Sequence, residues 1–480
     1  MTSWEPWNKA LKEMVNTNNS FDQRILDECV ECFSHDILTR ISDSELLDVQ
    51  IMDLDSALNG VPGVSYLDGI NRKTSAGFPW HKSKRFFLVE CEPNKMHQNP
   101  IMLDAEIRNR VDKIWIKYGL GQCTSPVFTA TLKDEVVTQV KADARKTRVF
   151  SGGPIDWIIV QRMLTMPLVR LIQNNKFIFE TAVGTVAQSR EWGQFIKYFK
   201  TKDEQLLHLF AGDFGKYDKR MGANFILAGY QIMYNICKKA QWTERNLRRL
   251  MCLANDTAYS YVLFNGTLLQ FFGTNPSGHA LTVIINSLVN SLYMRYCYYV
   301  LNPNKECVSF QQNVAFVSYG DDNVGCVAEK ARSFFNHTAI SKVLAEHDVE
   351  YTMADKCSES IPFISINNVS FLKRTWRYDY DINEYMAPLD HDSINKMLTM
   401  WIPSKEVSPS EQSLSVIQTA IREYFFYGKT TFDEKRTMFI DIMNKCLNYG
   451  PGASDVLLPT YDALLTSFVE HDICEEPVIV

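Results

Sequence analysis

Two apolar runs, 314–318 and 324–327, flank the polar tetrad Tyr319-Gly320-Asp321-Asp322. Alternating apolar positions predict two short strands, and a Gly-Asp pair between them suits a tight turn because Gly accepts a positive φ. A third apolar run, 206–212, ends at Asp213. The pattern therefore predicts a hairpin with two carboxylates at its tip, and a further strand that ends in a carboxylate.

Helical periodicity predicts helices at 104–118, 222–240, 279–301 and 328–347, and a helical C-terminal third rich in Met and aromatic residues. The most apolar of these segments, 280–301, is interrupted by Asn286, Asn290 and Arg295, which indicates a buried helix rather than a membrane span. Thr282 and Asn286 are four residues apart and would share one helix face. Polar side chains inside an apolar helix need partners, so either a structural network or a ligand such as a ribose lies near them.

A pair of cysteines near the N-terminus has part of a zinc-binding pattern. Cys29, Cys32 and His35 have partial zinc spacing, but no second close pair follows them. The spacing favours an amphipathic helix over a zinc site, and its inward residues would be Ile25, Leu26, Cys29, Cys32 and Phe33. The twelve cysteines are scattered, which is typical of reduced thiols in the cytosol rather than of a disulfide framework.

The chain of 480 residues is long enough for two or more domains, and its net charge of −6 argues against a surface that coats nucleic acid throughout. A local basic channel stays possible because the positive charges are clustered. For the cluster at 238–249, simple solvation of a helix face and contact with RNA are equally good interpretations. The clusters are Arg72, Lys73, His81, Lys82, Lys84 and Arg85; Lys133, Lys141, Arg145, Lys146 and Arg148; and Lys238, Lys239, Arg245, Arg248 and Arg249.

The carboxylates suggest a metal site. Asp213 is followed by Asp218, five residues further along, and both precede the hairpin with Asp321. Magnesium prefers hard oxygen ligands and keeps waters and substrate phosphates, so a few Asp side chains are enough to hold it. The loop 273–278, Gly-Thr-Asn-Pro-Ser-Gly, leads into the helix that carries Thr282 and Asn286.

The order of these motifs resembles the RNA-dependent RNA polymerases of picornavirus-like positive-strand RNA viruses. The motifs are Asp-x4-Asp from Asp213, Ser-Gly-x3-Thr-x3-Asn from Ser277, and Tyr-Gly-Asp-Asp at 319–322. Further family motifs match at 74–79, 133–148, 354–356 and 371–374, so the resemblance covers about residues 70 to 375. The run 275–293 is similar to marine, algal-virus members of the order.

The resemblance implies an α+β fold shaped as a closed right hand, with fingers, a palm made of an antiparallel sheet backed by helices, and a helical thumb. The implied boundaries are fingers at 1–165, palm at 166–221, a fingers insertion at 222–270, palm at 271–375 and thumb at 376–480. The coarse helix pattern agrees with this layout.

The resemblance implies a two-metal nucleotidyl transfer from NTPs to an RNA 3′-hydroxyl. Asp213 and Asp321 would bridge the metals, with Asp322 and the backbone carbonyl of Phe214 as secondary ligands; the metal would be Mg²⁺, for which Mn²⁺ can substitute. Lys356 would be the general acid for the leaving pyrophosphate. Pairing with Asp355 or another acid is the alternative for this lysine. The triphosphate would be bound by Lys133, Lys141 and Arg148.

A polar set would recognise the ribose 2′-hydroxyl, which separates RNA from DNA precursors. Its members would be Asp218, Ser277, Thr282 and Asn286. A reverse transcriptase is the alternative enzyme, but in that family a bulky side chain blocks the 2′-hydroxyl. A non-catalytic RNA-binding replication scaffold is the other alternative. All three carboxylates and the lysine are present, which argues against it.

The remaining implied roles concern RNA and protein partners. Thr74, Ser75 and Gly278 would contact the template, and Lys373 and Arg374 the primer backbone. The predicted thumb has no long insertion that could serve as an initiation platform, which favours a primer, in this family a uridylylated peptide. Other viral replication proteins are expected partners, and host-cytoplasmic replication complexes at membranes the expected location. The N-terminus differs from the protease-released Gly of picornaviral relatives, and anchoring through Trp4 and Trp7 is one alternative.

Overall fold

The computed structural model describes residues 4–14, 20–404 and 406–470. Helices in these ranges are α1 (Glu5–Met14), α2 (Gln23–Leu38), α3 (Asp43–Leu47), α4 (Leu54–Asn59), α5 (Ala105–Gly119), α6 (Gln139–Asp143), α7 (Ile155–Asn174), α8 (Glu191–Lys200), α9 (Tyr217–Arg220), α10 (Ala223–Lys239), α11 (Glu244–Ala258), α12 (Thr282–Leu301), α13 (Phe310–Asn313), α14 (His337–Ala345), α15 (His391–Thr399), α16 (Pro409–Tyr424), α17 (Lys429–Cys446), α18 (Pro451–Leu457) and α19 (Tyr461–Glu470). Strands are β1 (Leu88–Glu90), β2 (Ile101–Leu103), β3 (Val127–Leu132), β4 (Val149–Gly152), β5 (Leu209–Phe214), β6 (Tyr261–Phe264), β7 (Thr267–Gln270), β8 (Val314–Tyr319), β9 (Asp322–Val327), β10 (Tyr351–Met353), β11 (Arg377–Asp379) and β12 (Glu384–Met386).

The sheet that carries the predicted catalytic carboxylates has the strand order β10-β5-β9-β8, and all its neighbours are antiparallel. Most side chains on both faces of its central strands are buried, which explains the apolar runs 209–212 and 324–327 within them. Helix α12 packs against β8 and is itself almost fully buried. The prediction that this segment is a buried helix is confirmed. Within the ranges described above, every helix is too short or too polar to span a bilayer.

A second sheet of four strands has the order β4-β3-β6-β7, in which β3 and β6 are parallel and the other neighbours antiparallel. The segment between β3 and β4 contains the second basic cluster. Both sheets lie inside the ranges predicted for palm and fingers. A separate apolar core is formed by residues between Met386 and Phe468, inside the predicted thumb. The domain boundaries themselves stay a prediction.

Three of the four predicted helices are confirmed with small shifts of their ends, as α5, α10 and α12. The fourth prediction, one helix over 328–347, is wrong. The segment begins with a 3-10 turn at Glu329–Ala331, and helix α14 starts only at His337. Asn336 causes the late start because its side chain accepts a hydrogen bond from the Ala339 N–H at 3.1 Å and caps the helix.

The cysteine pair near the N-terminus lies on α2, as the amphipathic interpretation predicts. Leu26, Cys29 and Phe33 are fully buried, whereas Cys32 is partly buried. His35 is on the exposed side of the helix. The burial pattern therefore supports a packing role for the two cysteines.

Candidate active site

The predicted hairpin is present, and its tip is fixed by the helix behind it. Strands β8 and β9 pair from Val314 with Val327 to Tyr319 with Asp322, which leaves Gly320 and Asp321 as the two loop residues. Gly320 has a φ of +66°. On α12, the Ser287 hydroxyl accepts a hydrogen bond from the Gly320 N–H at 2.9 Å. The Asn290 amide donates to the Gly320 carbonyl at 2.9 Å, so the turn has a defined position.

Asp213 lies on β5, the strand next to β9. Gly212 pairs with Asn323, so Asp213 is beside the start of β9 and the hairpin tip. Gly212 is required here because a Cβ atom would lie 2.1 Å from the ring of Tyr351. The Tyr351 hydroxyl in turn donates to the Asn323 side chain at 2.7 Å. The packing of these residues sets the distance between the two strands and therefore between their carboxylates.

The three carboxylates of Asp213, Asp321 and Asp322 influence one another electrostatically. Asp321 is accessible at the hairpin tip, yet the protein around its carboxyl desolvates it and the charge of Asp213 repels it, and both effects raise the pKa of Asp321. Desolvation raises the pKa of Asp322 to about 7, although its carboxylate accepts a hydrogen bond from the Leu372 N–H at 2.7 Å. Close carboxylates with raised pKa values gain stability from a bound cation.

The lysine predicted as general acid contacts this group directly. The Lys356 ammonium lies 2.8 Å from the Asp213 carboxylate. Its sequence neighbour Asp355 is occupied elsewhere, since it accepts hydrogen bonds from the N–H groups of Cys357 and Ser358, each at 3.0 Å. The alternative pairing of Lys356 with Asp355 is therefore wrong. The neighbouring acid that Lys356 contacts is Asp213, and the role of Lys356 as general acid stays a prediction.

The donor set fits a hard divalent cation that also binds substrate oxygens. As arranged, the described residues contain no group of three or more His, Cys, Asp or Glu side chains that encloses a metal ion. The Asp213 carboxylate contacts the Lys356 ammonium, and the Asp322 carboxylate accepts from the Leu372 N–H. Asp213 repels Asp321, and both of them repel Asp322, so a cation would relieve the repulsion among all three carboxylates. Phosphate and water oxygens would have to complete such a site.

A chain of amide hydrogen bonds leads from Asp218 into the protein. The Asn286 amide donates to the Asp218 carboxylate at 2.5 Å, and Asn275 donates to the Asn286 side-chain oxygen at 2.8 Å. His279 continues the chain, with one ring nitrogen 3.1 Å from Asn275 and the other 2.8 Å from Gln161. Desolvation of the ring lowers the pKa of His279 to about 3, so the ring is neutral. The predicted partners Asp218 and Asn286 are thus brought together.

The other two predicted ribose residues are placed differently. The Thr282 hydroxyl donates to the carbonyls of Pro276 and His279 at 2.9 and 3.1 Å, so it stabilises the loop before α12. Ser277 is exposed and its hydroxyl accepts from the Ser151 N–H at 3.2 Å. Sequence reasoning missed Asn275 as the partner of Asn286, although it lies in the loop that the motif includes. It also missed His279 and Gln161, and Gln161 had no local signal because it comes from α7.

The predicted triphosphate residues lie on an exposed segment. Arg148 forms a two-pronged ion pair with Glu135, with one contact at 2.6 Å, and Lys133 is 3.8 Å from the same carboxylate. Their neighbour Lys141 is exposed on the short helix α6. The hydrogen bond with Glu135 raises the pKa of Arg148, and the charges of Asp321 and Asp218 raise it further. The charges of Asp321 and Asp218 therefore stabilise the Arg148 guanidinium.

Lys133, Arg148, Asp218 and Ser277 line one cavity of about 190 Å³. Thr274 and Asn275 line its wall as well, and Met14 at the end of α1 closes another part of it. The structure thus brings two of the three predicted triphosphate residues and two of the four predicted ribose residues around a single space, whereas Lys141, Thr282 and Asn286 are not among its lining residues. The side chain of Phe214 is buried at the end of β5, and the role of its carbonyl as a ligand stays a prediction.

The predicted template residues lie on the surface of the first basic cluster. Thr74 and Ser75 are exposed, and the Lys84 ammonium donates to the Thr74 hydroxyl at 2.7 Å. Lys84 is consequently buried and unavailable to RNA, and burial lowers the pKa of Lys84 to about 8. Gly278 touches the backbone beside Ser151, where a Cβ atom would lie 2.4 Å from the Ser151 carbonyl.

One predicted primer contact is not supported by the arrangement. Lys373 is exposed, as a phosphate-binding residue requires. Arg374 is 7% exposed, and its guanidinium forms a buried pair with Glu423 of α16 at 2.7 and 2.9 Å. This residue therefore connects the predicted palm to the predicted thumb instead of facing the primer. The motif pattern could not show this because Glu423 is 49 residues away in the chain.

The model for the viral RNA-dependent RNA polymerase family matches residues 26–474. The chain belongs to this family. The replicase polyprotein of Drosophila C virus is 29% identical over 407 residues, 81% of this chain and 23% of that protein. The replicase polyprotein of Cricket paralysis virus is 27% identical over 461 residues, 92% of this chain and 26% of that protein. The RNA1 polyprotein of Cherry rasp leaf virus is 29% identical over 472 residues, 93% of this chain and 20% of that protein.

The polymerase-like chain thus spans about a fifth to a quarter of the length of these polyproteins. A solved structure, the Sicinivirus 3Dpol RNA dependent RNA polymerase, superposes with a TM-score of 0.77 at 18% identity, over 96% of this chain and 88% of that chain. This similarity confirms the predicted α+β right-hand fold. Family membership also confirms the RNA-directed RNA polymerase over a reverse transcriptase or a scaffold, and it implies dependence on a divalent metal ion. The finer assignment to a marine, algal-virus branch stays a prediction.

Proposed function

We propose that this polymerase transfers nucleotidyl groups from NTPs to an RNA 3′-hydroxyl by a two-metal, magnesium-dependent reaction that extends a primer. The observation that carries the proposal is the meeting of Asp213 and Asp321 at adjacent strand ends, with Lys356 bound to Asp213. Asp213 and Asp321 would hold the metals, with Asp322 as a secondary ligand. When bound, Mg²⁺ supplies neutralisation of phosphate charge and a lower pKa for the attacking hydroxyl.

The protein residues prepare the nucleotide for the reaction. Arg148 and Lys133 now share the carboxylate of Glu135, and triphosphate oxygens can replace that carboxylate with the same charge-assisted geometry. Asp218, held by Asn286, offers an acceptor to the ribose hydroxyls at the other end of the cavity. The two groups fix the nucleotide at both ends, which orients its α-phosphate toward the carboxylates.

Proton transfer accompanies the exchange of bonds. The primer 3′-oxygen forms a bond to the α-phosphorus and releases its proton to solvent, and the bond between that phosphorus and the α,β-bridging oxygen breaks, so that the bridging oxygen leaves with pyrophosphate. Lys356 donates a proton to the departing pyrophosphate. Its side chain is 61% exposed at the cleft, so it has room to move from Asp213 to the pyrophosphate.

Specific partners and location belong to the same proposal. The chain would use a peptide primer, act with other viral replication proteins, and work in replication complexes at membranes in the host cytoplasm. The exposed positions of Thr74, Ser75 and Lys373 support contacts with template and primer phosphates.

Primer extension on homopolymeric RNA tests the function. We expect wild-type protein with Mg²⁺ to extend an annealed RNA primer with the complementary NTP, and to use the dNTP and the unprimed template poorly. The control is Glu204→Gln, which removes an exposed carboxylate that lies 3.4 Å from the Lys200 ammonium in a surface ion pair. Preferred use of dNTPs would indicate a reverse transcriptase, RNA binding without extension would indicate a scaffold, and equal synthesis without primer would refute primer dependence.

A further inference from the structure

Three lysines converge on one carboxylate beside the nucleotide cavity. Glu13, near the end of α1, lies 2.7 Å from the ammonium of Lys219, 3.1 Å from that of Lys146 and 3.9 Å from that of Lys216. The Glu13 side chain is only 15% exposed. Three positive charges around a single shielded carboxylate form a much denser arrangement than an ordinary surface ion pair.

The lysines come from two segments that both carry predicted nucleotide-binding residues. Lys146 precedes Arg148 by two residues in the basic segment between β3 and β4. Lys216 and Lys219 flank Asp218 in the turn that begins α9. Glu13 therefore connects the triphosphate side of the cavity to its ribose side, and the next residue, Met14, lines the cavity itself.

The turn that bears Asp218 has a second support on its opposite side. The Asp218 carbonyl accepts a hydrogen bond from the Asn275 N–H at 2.9 Å, and the Lys219 carbonyl accepts from the Thr274 hydroxyl at 2.9 Å. These bonds hold the turn to the loop before α12. Glu13 supplies the support that faces the basic segment, so the two supports together determine where the Asp218 carboxylate points.

The charge of Glu13 is maintained by the lysines that it holds. Burial acts to raise its pKa, but hydrogen bonds and charges from Lys219 and Lys146 outweigh burial, and the pKa of Glu13 is lowered overall. Removal of this carboxylate would leave three ammonium groups facing one another in a partly desolvated space. Like charges at such distances repel, and the two segments would separate.

We propose that Glu13 is a positioning residue for the incoming nucleotide, which keeps the basic segment and the Asp218 turn at the spacing that a ribonucleoside triphosphate requires. The proposal deepens the polymerase function proposed above and rests on it. Glu13 does not touch the reacting atoms in this arrangement; it acts through Lys146 and Lys219. Its effect should therefore be on nucleotide binding rather than on the chemical step.

The same helix offers a matched control. Glu5, also on α1, pairs with Lys9 at 2.9 Å and with Arg145 at 3.0 Å, and its side chain is 44% exposed. Glu5→Gln removes the same charge from the same helix as Glu13→Gln. The difference between the two variants isolates the link to the Asp218 turn.

The experiment measures single-nucleotide addition to a preformed primer-template by full-length protein, with each of the four NTPs. For Glu13→Gln we expect the KM of every NTP to rise about five- to thirtyfold, the loss of one to two charge-assisted hydrogen bonds. The kcat should change less than about threefold and the primer-template Kd less than about twofold. Glu5→Gln should stay within about twofold of wild type in all three quantities, since exposed pairs contribute little.

Two further variants separate positioning from folding. Glu13→Asp keeps the charge with a shorter reach and should give an intermediate KM, which also preserves the test if Glu13→Gln does not fold. The double variant Glu13→Gln with Lys146→Gln should recover part of the lost affinity because one repelling ammonium is gone. A KM rise equal to that of Glu5→Gln, or a double variant worse than the single one, would overturn the proposal. An inactive wild-type protein would instead refute the polymerase function itself.

Discussion

The catalytic hairpin, residues 314–327, and the basic segment, residues 133–148, are built on opposite principles. Most side chains of the hairpin strands are buried, and α12 fixes its turn through Ser287 and Asn290. Most of the basic segment is exposed, and ion pairs with Glu135 and Glu13 hold it. Apolar packing gives the carboxylates a rigid position, as reacting groups need. Ion pairs give the cations a position that phosphate oxygens can take over, which suits groups that must bind and release a nucleotide at each cycle.

Removal of a hairpin carboxylate should have the largest effect. We expect Asp321→Asn or Asp213→Ala to lower nucleotide addition by roughly a thousandfold or more, the scale of losing an essential active-site group. The fold should persist, because Asp321 is desolvated and repelled by Asp213, so its charge destabilises the metal-free protein. Rapid-quench extension gives the rate, and thermal unfolding without metal should show Asp321→Asn at or above the wild-type Tm. Near-normal extension by both variants would contradict the two-metal assignment.

Lys356, which contacts the catalytic carboxylate Asp213 but lies outside the hairpin, tests whether a proton is donated at this site. Lys356→Arg keeps a cation that can still pair with Asp213, but a guanidinium releases a proton far less readily than an ammonium. We expect the maximal addition rate to fall about ten- to a hundredfold and the apparent nucleotide affinity to change little. The measurement is single-nucleotide addition across a range of pH. An unchanged maximal rate with weaker affinity would make Lys356 only a charge partner of Asp213.

Local patterns predicted the rigid region well because its information is contiguous. Alternating apolar residues and a Gly-Asp turn were enough to identify β8, β9 and the carboxylates at their junction. Periodicity places the start of helix α14 too early, because it does not register the hydrogen bond by which the Asn336 side chain caps the helix. The order of the motifs along the chain supplied the right-hand fold.

Pairings between distant residues could not be predicted in the same way. The contact of Arg374 with Glu423, of Glu13 with Lys219, and of Gln161 with His279 each joins segments that only the folded chain brings together. A charged residue in a motif resembles a nucleic-acid contact in sequence whether its partner is a phosphate or a buried carboxylate. The motif therefore predicts a primer contact for Arg374, and it predicts only the Asp218–Asn286 part of the amide chain.

The amide chain gives the next prediction, which concerns sugar selection. Asn286→Ala removes the donor that orients Asp218 and the acceptor for Asn275. We expect the preference for ribonucleotides over deoxyribonucleotides to fall about tenfold or somewhat more, the scale of one or two hydrogen bonds. The comparison variant is Thr282→Val, which removes a hydroxyl that bonds to backbone groups of the loop before α12: the Pro276 and His279 carbonyls and the His279 N–H. It should reduce the use of both sugars equally, and an equal reduction by Asn286→Ala would make that residue structural as well.

The smallest expected effect is a pH dependence of the preference for ribonucleotides over deoxyribonucleotides, and it comes from Asp218. Burial raises the pKa of Asp218 to about 6, so the carboxylate prevails above that pH and the neutral acid below it. An ionised acceptor binds hydroxyl groups more strongly than a neutral one. The ribonucleotide preference should therefore decline about threefold between pH 7.5 and pH 5.5. A raised carboxyl pKa means that the folded protein binds this proton more tightly than the unfolded chain, so this group adds stability as the pH falls through 6. Unfolding driven by Asp218 cannot then explain the decline. The preference of Asp218→Asn, measured with paired NTP and dNTP extension, should be lower and flat with pH; a wild-type profile that is equally flat would show that the charge of Asp218 has no part in reading the sugar.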